Sequence, residues 1–298
     1  MDVSVIMVNY NTRVMTSVAI DSVFERTEGI RFEIIVVDNA SSDGSKEYFE
    51  GRKDITYIYS DKNLGFGQAN NLAAKQAKGK YLFFLNSDTL LCNNAIKILH
   101  NYIETHPEVG VVGGNLYNRD NKPTYSYDRS YPGIYSTLNF LSCRILNRLR
   151  YGKNSNFNHL NQPLQVAFIS GADLMIRADL YRDLDGFSND YFMYYEETDL
   201  CYRIFKTGFG ILSIPKAKII HLEGGSFSGS TENIIRKFKI SISSRVTFIK
   251  KYHTPLYVKI DYLLNYLYLI VLRRVHKKNF NSIDLAEYYR KQMNYEAK

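Results

Sequence analysis

The run Phe83-Phe84-Leu85-Asn86-Ser87-Asp88-Thr89 is apolar for three residues and then breaks off in an amide, a hydroxyl and a carboxylate. Strands buried on both faces of a parallel sheet are continuously apolar, and open α/β sheets take their ligands at the carboxyl ends of such strands. Asp88 therefore falls where a phosphate-bound metal would sit. Two more apolar runs end the same way, residues 3–8 in Asn9-Tyr10-Asn11 and residues 32–37 in Asp38-Asn39. One polar strand end is ordinary; three in one chain mark a shared ligand-binding edge.

Between these runs the pattern is helical. Val14, Val18, Val23 and Phe24 fall roughly on one face of a helix over residues 14–24. Turn formers at Ala40-Ser41-Ser42-Asp43-Gly44 precede a short helix to Phe49 and a strand at 55–59. Asn63-Leu64-Gly65-Phe66-Gly67 turns into an alanine-rich helix over 68–77, followed by a strand at 80–85, a helix over 94–106 and a strand at 109–113. This alternation predicts crossover units and a mostly parallel sheet flanked by helices. Residues 115–165, rich in Asn, Tyr, Arg and Lys, read as a substrate-facing insertion or a variable loop. Strand-like runs return at 166–169 and 171–176. Residues 199–207 read as a helix with Leu200 and Ile204 inward and Gly208 as its stop. A strand at 218–220 leads to His221, and Glu223-Gly224-Gly225-Ser226 reads as a turn. The chain divides into an α/β domain over 1–230 and a helical extension over 231–298.

The net charge of +8 points to an anionic partner or surface. Three isolated cysteines without a CxxC spacing argue against a disulfide framework or zinc site. No aromatic stacking motif accompanies the basic residues, so nucleic acid is not the expected partner. The N-terminus has no export signal and no run is long enough to span a membrane, so the catalytic part is expected in the cytoplasm. The extension carries Leu263, Leu264, Leu267, Leu269, Ile270, Val271 and Leu272, then Arg273-Arg274 and Lys277-Lys278. It reads equally as helices on an anionic membrane face or as helices packed on the domain or a twin subunit. Oligomerisation stays open.

A nucleotide diphosphate leaves readily when a divalent cation is held on it by an acidic ligand. Asp88 is the first candidate, and His221, at another strand end, is either a second ligand or a structural histidine. The adjacent Glu196 and Glu197 lie just before a helix; they are a general base or simply acids favoured by a helix start. Asp38 and Asn39 hydrogen-bond a base or ribose, or cap a turn. No GxGxxG follows the first strand and no GxxxxGK[ST] occurs, which disfavours dehydrogenase, kinase and ATPase readings.

Five motifs in order, over residues 3–11, 36–45, 63–66, 84–88 and 194–200, resemble the family 2 glycosyltransferases, in particular the bacterial rhamnosyltransferase-like branch that builds surface polysaccharides. The resemblance implies a GT-A fold and an inverting, metal-dependent transfer from a nucleotide sugar to a lipid-linked glycan. On it, Asn86-Ser87-Asp88 matches the DxD motif, with Asp88 as ligand of Mn²⁺ or Mg²⁺ and Asn86 limited to hydrogen bonds. His221 matches a histidine that joins the metal in some relatives. Val8, Asn9, Tyr10, Asp38, Asn39, Asn63, Gly65, Asn70, Asn86 and Ser87 would line the nucleotide sugar. Glu196-Glu197 matches a Glu-Asp pair whose second member is the base, and Asp199 would be a supporting or acceptor-contacting acid. The expected donor is dTDP-rhamnose ahead of a UDP-linked sugar. The protein would sit at the inner face of the cell membrane through its C-terminal helices. A catalytically decayed nucleotide-binding or scaffold protein and a sugar-phosphate nucleotidyltransferase are the competing readings.

Overall fold

The computed structural model describes residues 1–222, 231–275 and 291. In chain order the first elements are β1 (Val3–Asn9), α1 (Arg13–Arg26), β2 (Phe32–Asn39), α2 (Ser45–Glu50), β3 (Thr56–Ser60), α3 (Phe66–Ala74) and β4 (Tyr81–Leu85). The middle of the chain forms β5 (Thr89–Leu91), α4 (Ala95–Thr105), β6 (Val109–Tyr117), β7 (Tyr127–Asp128), α5 (Ile134–Leu141) and α6 (Ile145–Tyr151). Then follow β8 (Leu164–Gln165), β9 (Phe168–Ile169), β10 (Asp173–Arg177), α7 (Ala178–Asp183), α8 (Glu196–Lys206) and β11 (Gly210–His221). Two long helices, α9 (Thr231–Tyr252) and α10 (Pro255–Val275), come last. The expected turn at 223–226 and the lysines at 277 and 278 lie outside the described residues.

The main sheet runs β3-β2-β1-β4-β10-β6-β11-β5, with β8 added beside β11. β3, β2, β1 and β4 are mutually parallel, as the long helix-bearing crossovers between them allow. The alternation does not continue into a purely parallel sheet. β10 enters antiparallel between β4 and β6, and β6 then pairs with β11 in parallel. β6 also runs on to Tyr117, so Asn115 belongs to the sheet rather than to the insertion. Gly113 and Gly114 suit that strand because a Cβ on either would sit 2.3 Å from the Ile169 side chain or 2.7 Å from the Ala217 carbonyl oxygen.

The strands' two faces build separate cores. Val3, Val5 and Met7 pack with Ile20 and Val23 of α1 and Ile96, Leu99 and Ile103 of α4. Ile6, Ile35 and Phe84 pack on the other face with Ala69 and Ala73 of α3 and Leu200 and Ile204 of α8. Period-2 alternation along β1 accounts for the split. The expected face of α1 is corrected: Val14, Val18 and Phe24 are exposed, and Thr16, Ala19, Ile20 and Val23 are buried. Thr16 donates a buried 2.8 Å hydrogen bond to Asn9 Oδ1, and that bond, with small Ala19 against the sheet, sets the helix's rotation. A third cluster joins Tyr191 to Phe248, Ile249 and Val258, so α9 and α10 pack on the segment leading into α8.

Candidate active site

The ends of β1 and β2 lie level, Asn9 opposite Asp38. Asn9 is fully buried: its amide nitrogen donates to Ser41 Oγ, and its oxygen accepts from both Thr12 and Thr16. Asp38, also fully buried, accepts from the Ser41 amide at 2.8 Å and from the Tyr57 hydroxyl at 3.1 Å. Val8 and Tyr10 beside them are half-buried. Asn39 reaches the next loop, donating to Asn63 Oδ1 and accepting from the Leu64 amide. Asn63 in turn accepts from the Gly65 amide. Gly65 has φ 79°, and a Cβ there would lie 2.1 Å from the Phe192 carbonyl oxygen, so only glycine lets this loop meet the segment before α8. Asn70 is buried within α3 and donates to the Phe66 carbonyl. The residue pattern did not single out Thr12, Thr16, Ser41 or Tyr57, which orient the predicted residues. Only the threonines carry a signal, standing three and seven residues after Asn9 and so on one face of the helix start.

The second group lies where β4 and β11 end. His221 pairs with Thr89 across the β5–β11 ladder, which brings its Nε2 to 3.2 Å from Asp88 Oδ1 and 3.4 Å from Asn86 Nδ2. Ser87 lies 3.2 Å from Thr12 Oγ1, which ties this cluster to the Asn9 network. One carboxylate and one imidazole nitrogen in mutual reach, with an amide beside them for hydrogen bonding, fit a divalent cation that takes its remaining ligands from phosphate oxygens and water. Among the described residues no group of three or more His, Cys, Asp or Glu could hold a metal by itself. Such a site would bind a cation chiefly together with its diphosphate.

The third group is the start of α8. Glu196 and Glu197 are its first two residues rather than a prelude to it, and Asp199 is also in the first turn. Tyr194 and Tyr195 before them have φ 67° and 73°, two consecutive left-handed residues other than glycine, a conformation held only against strain. Glu196 is buried, and its Oε2 has no hydrogen-bond partner among the described residues. Burial and the neighbouring Glu197 push Glu196 well above the usual carboxylate range, and burial pushes half-buried Glu197 up as well. Adjacent carboxyls in such surroundings share one proton more readily than they carry two charges. A Cβ on Gly171 would lie 3.8 Å from Glu197 Cγ, while the next carbonyl, that of Ala172, accepts from the Asn86 amide at 3.0 Å. One dipeptide thus runs between the Glu197 side chain and the backbone of the Asp88 cluster.

Asp199 makes different contacts. It is fully buried and accepts from Tyr191 Oη, Tyr252 Oη and Arg203 Nε, with Lys251 Nζ 3.1 Å away. Its oxygens are engaged in holding α9 to α8, so the structure brings Glu196 and Glu197 together with the strand ends and occupies Asp199 elsewhere.

These three groups sit on a fold shared with a solved mannosyltransferase of Pyrobaculum calidifontis in complex with GDP-Man and Mn²⁺. The TM-score is 0.56 at 17% identity, over 99% of this chain and 74% of that one. The fold is GT-A, a mostly parallel mixed sheet flanked by helices, with C-terminal helices added. Among curated proteins, the low-salt glycan biosynthesis hexosyltransferase Agl10 of Haloferax volcanii is 27% identical over 224 residues, 74% of this chain and 67% of its own. Rhamnosyltransferase WbbL of Escherichia coli K12 is 26% identical over 198 residues, 64% of this chain and 72% of its own. The family model described as glycosyl transferase family 2 matches residues 4–184, which takes in the first two groups except His221 and stops before the glutamates. The chain belongs to glycosyl transferase family 2 and is a glycosyltransferase of that family.

Proposed function

We propose that the protein moves a hexosyl group, with rhamnose from dTDP-rhamnose as the leading donor, onto a hydroxyl of a lipid-linked glycan with inversion at the anomeric carbon. The observation that carries this reading is the Gly171-Ala172 link between the raised carboxyl pair and the Asp88–His221 cluster. Asp38, Asn39 and the Asn63–Gly65 loop would hold the nucleoside, with Asn9 fixing the strand end beneath it. Asp88 and His221 would hold Mn²⁺ or Mg²⁺, which when bound neutralises charge on the departing diphosphate. Glu196, the more deeply buried of the pair, keeps the shared proton, and Glu197 takes the proton of the acceptor hydroxyl as its oxygen attacks the anomeric carbon. One base and no protein nucleophile give inversion. The same reading places the protein at the inner face of the cell membrane, where a lipid-linked acceptor is met.

Thermal stabilisation by UDP, dTDP and GDP, each with Mn²⁺ and with EDTA, tests the donor half. A shift with one nucleotide that needs metal is expected, largest with dTDP. No shift with any nucleotide would sink the reading.

A further inference from the structure

Helix α10 has two faces of opposite use. Tyr257, Asp261 and Asn265 turn inward: Tyr257 Oη accepts from the Ile134 amide, and Asp261 binds Thr137 and Arg245. Leu256, Ile260, Leu263 and Leu267, spaced by four, three and four, form a second stripe that the fold leaves 68%, 43%, 56% and 46% exposed. Alongside, α5 meets α10 through Thr137 and through Phe140, whose ring lies 6.1 Å from that of Tyr268. α5 and α6 expose apolar groups too, Leu138 at 39% and Phe140 at 43% on α5 and Ile145 at 55% and Leu149 at 81% on α6. Single exposed leucines are normal on a protein surface; a concentration on three neighbouring helices marks a contact.

The charge around this surface has one sign. No Asp or Glu occurs from Arg129 to Ala172, a stretch that carries Arg144, Arg148, Arg150 and Lys153. Arg144 and Arg150 lie over the rings of Phe140 and Tyr135, so their guanidinium groups are held among the apolar groups. On α10 the single acid, Asp261, is buried and paired with Arg245. A second copy docking by twofold symmetry would bring these cations against each other. An anionic bilayer offers both an apolar interior for the leucines and phosphates for the arginines.

We propose that α5, α6 and α10 together form a docking surface for an anionic lipid bilayer, so that the insertion as well as the C-terminal helices makes the membrane contact. Resting on the glycosyltransferase reading, this gives the insertion its use. At its base β7 pairs with β9, and Tyr131 Oη donates to the Cys201 carbonyl of α8, so the surface borders the helix that carries Glu197. Docking would lay the acceptor's lipid beside Glu197. No helix among the described residues is long and apolar enough to cross a membrane, which makes the contact a lateral one.

Flotation of the purified full chain with phosphatidylcholine vesicles, neutral or with roughly one-third phosphatidylglycerol, tests this. Binding only to the anionic vesicles, weakened by salt, is expected. Leu149→Ser with Leu263→Ser, and separately Arg148→Gln with Arg150→Gln, should each weaken it about tenfold or more. The nucleotide-and-Mn²⁺ thermal shift should be unchanged in both variants, which separates a failed docking surface from a failed enzyme reading. Absence of wild-type binding overturns the proposal, as does undiminished binding by both variants. A dimer in light scattering that the leucine substitutions dissolve would also overturn it, by making the surface a protein interface.

Discussion

The nucleotide end and the glutamate end of the site are built on opposite terms. Asn9, Asp38 and Asn39 are each tied to neighbours by short polar bonds, and uncharged groups do most of the holding. Around Glu196 and Glu197 one buried carboxyl oxygen has no partner among the described residues, two tyrosines are left-handed, and both carboxyls are pushed up. A binding surface gains from groups fixed before the ligand arrives, since ordering them later would cost affinity. A base gains from a poorly solvated carboxylate that holds a proton more tightly than it would in water. The helix N-terminus keeps that carboxylate from being too costly.

The contrast breaks most decisively at Glu197. Glu197→Gln should lower kcat by about 10³-fold, within the usual range for loss of a general base, with the nucleotide thermal shift retained. Equal loss of both would place Glu197 in the binding half. In wild type the acid limb of the kcat/KM profile should lie above an ordinary glutamate's pKa, because burial raises Glu197 and the base must be ionised to act. An acid limb near pH 4 would be typical of a solvated glutamate and would contradict this.

Asp199 tests whether the strain around α8 is braced from outside. Asp199→Ala leaves Arg203 and Lys251 without their buried carboxylate and should cost about 3–5 kcal/mol of stability, read by denaturant unfolding. An unchanged unfolding midpoint with lost turnover would instead make Asp199 an acceptor contact. Gly65→Ala sharpens the binding side. The Cβ clash with the Phe192 carbonyl and the positive φ should cost about 1–3 kcal/mol and raise KM for the donor more than they lower kcat.

Asp173 gives the smallest effect. It is fully buried, with one oxygen accepting from the Gly114 amide and the other unpartnered among the described residues, and burial raises its pKa well above the usual range. A folded pKa above the unfolded one means stability present in acid and lost as pH rises through the folded value. Asp173→Asn should therefore be more stable than wild type by about 1 kcal/mol at neutral pH, with the gain vanishing in acid. Thermal unfolding across pH measures it; a gain that grew in acid would refute the assignment.

The strand ends are legible in the sequence because an apolar run that stops in Asn or Asp sets hydrogen-bonding groups where a buried strand meets the sheet edge. The antiparallel β10 is not, since residues 173–177 look like any buried strand and nothing in the order of segments tells which neighbours they join. The face of α1 is misleading because valines and a phenylalanine outweigh alanine and threonine in a hydrophobic pattern, whereas the fold needs a small residue and one hydrogen bond there. The acids of α8 stand out by motif, but a motif cannot say which oxygens are already taken. Asp199 is set apart from Glu197 by its partners and its deeper burial.

The place of β10 also sets an order of assembly. β1 to β4 are contiguous in the chain and pair with one another, but among the described residues β6 reaches them in the sheet through residues 173–177, and β11 pairs with β6 and β5 rather than with any of them. A chain emerging from the ribosome can gather its nucleotide half early and must wait for β10 before the glutamates have anything to face. Hydrogen exchange during refolding should find β1–β4 protected first. The loops proposed for the nucleoside could thus take shape before the residues that would complete the metal site and supply the base.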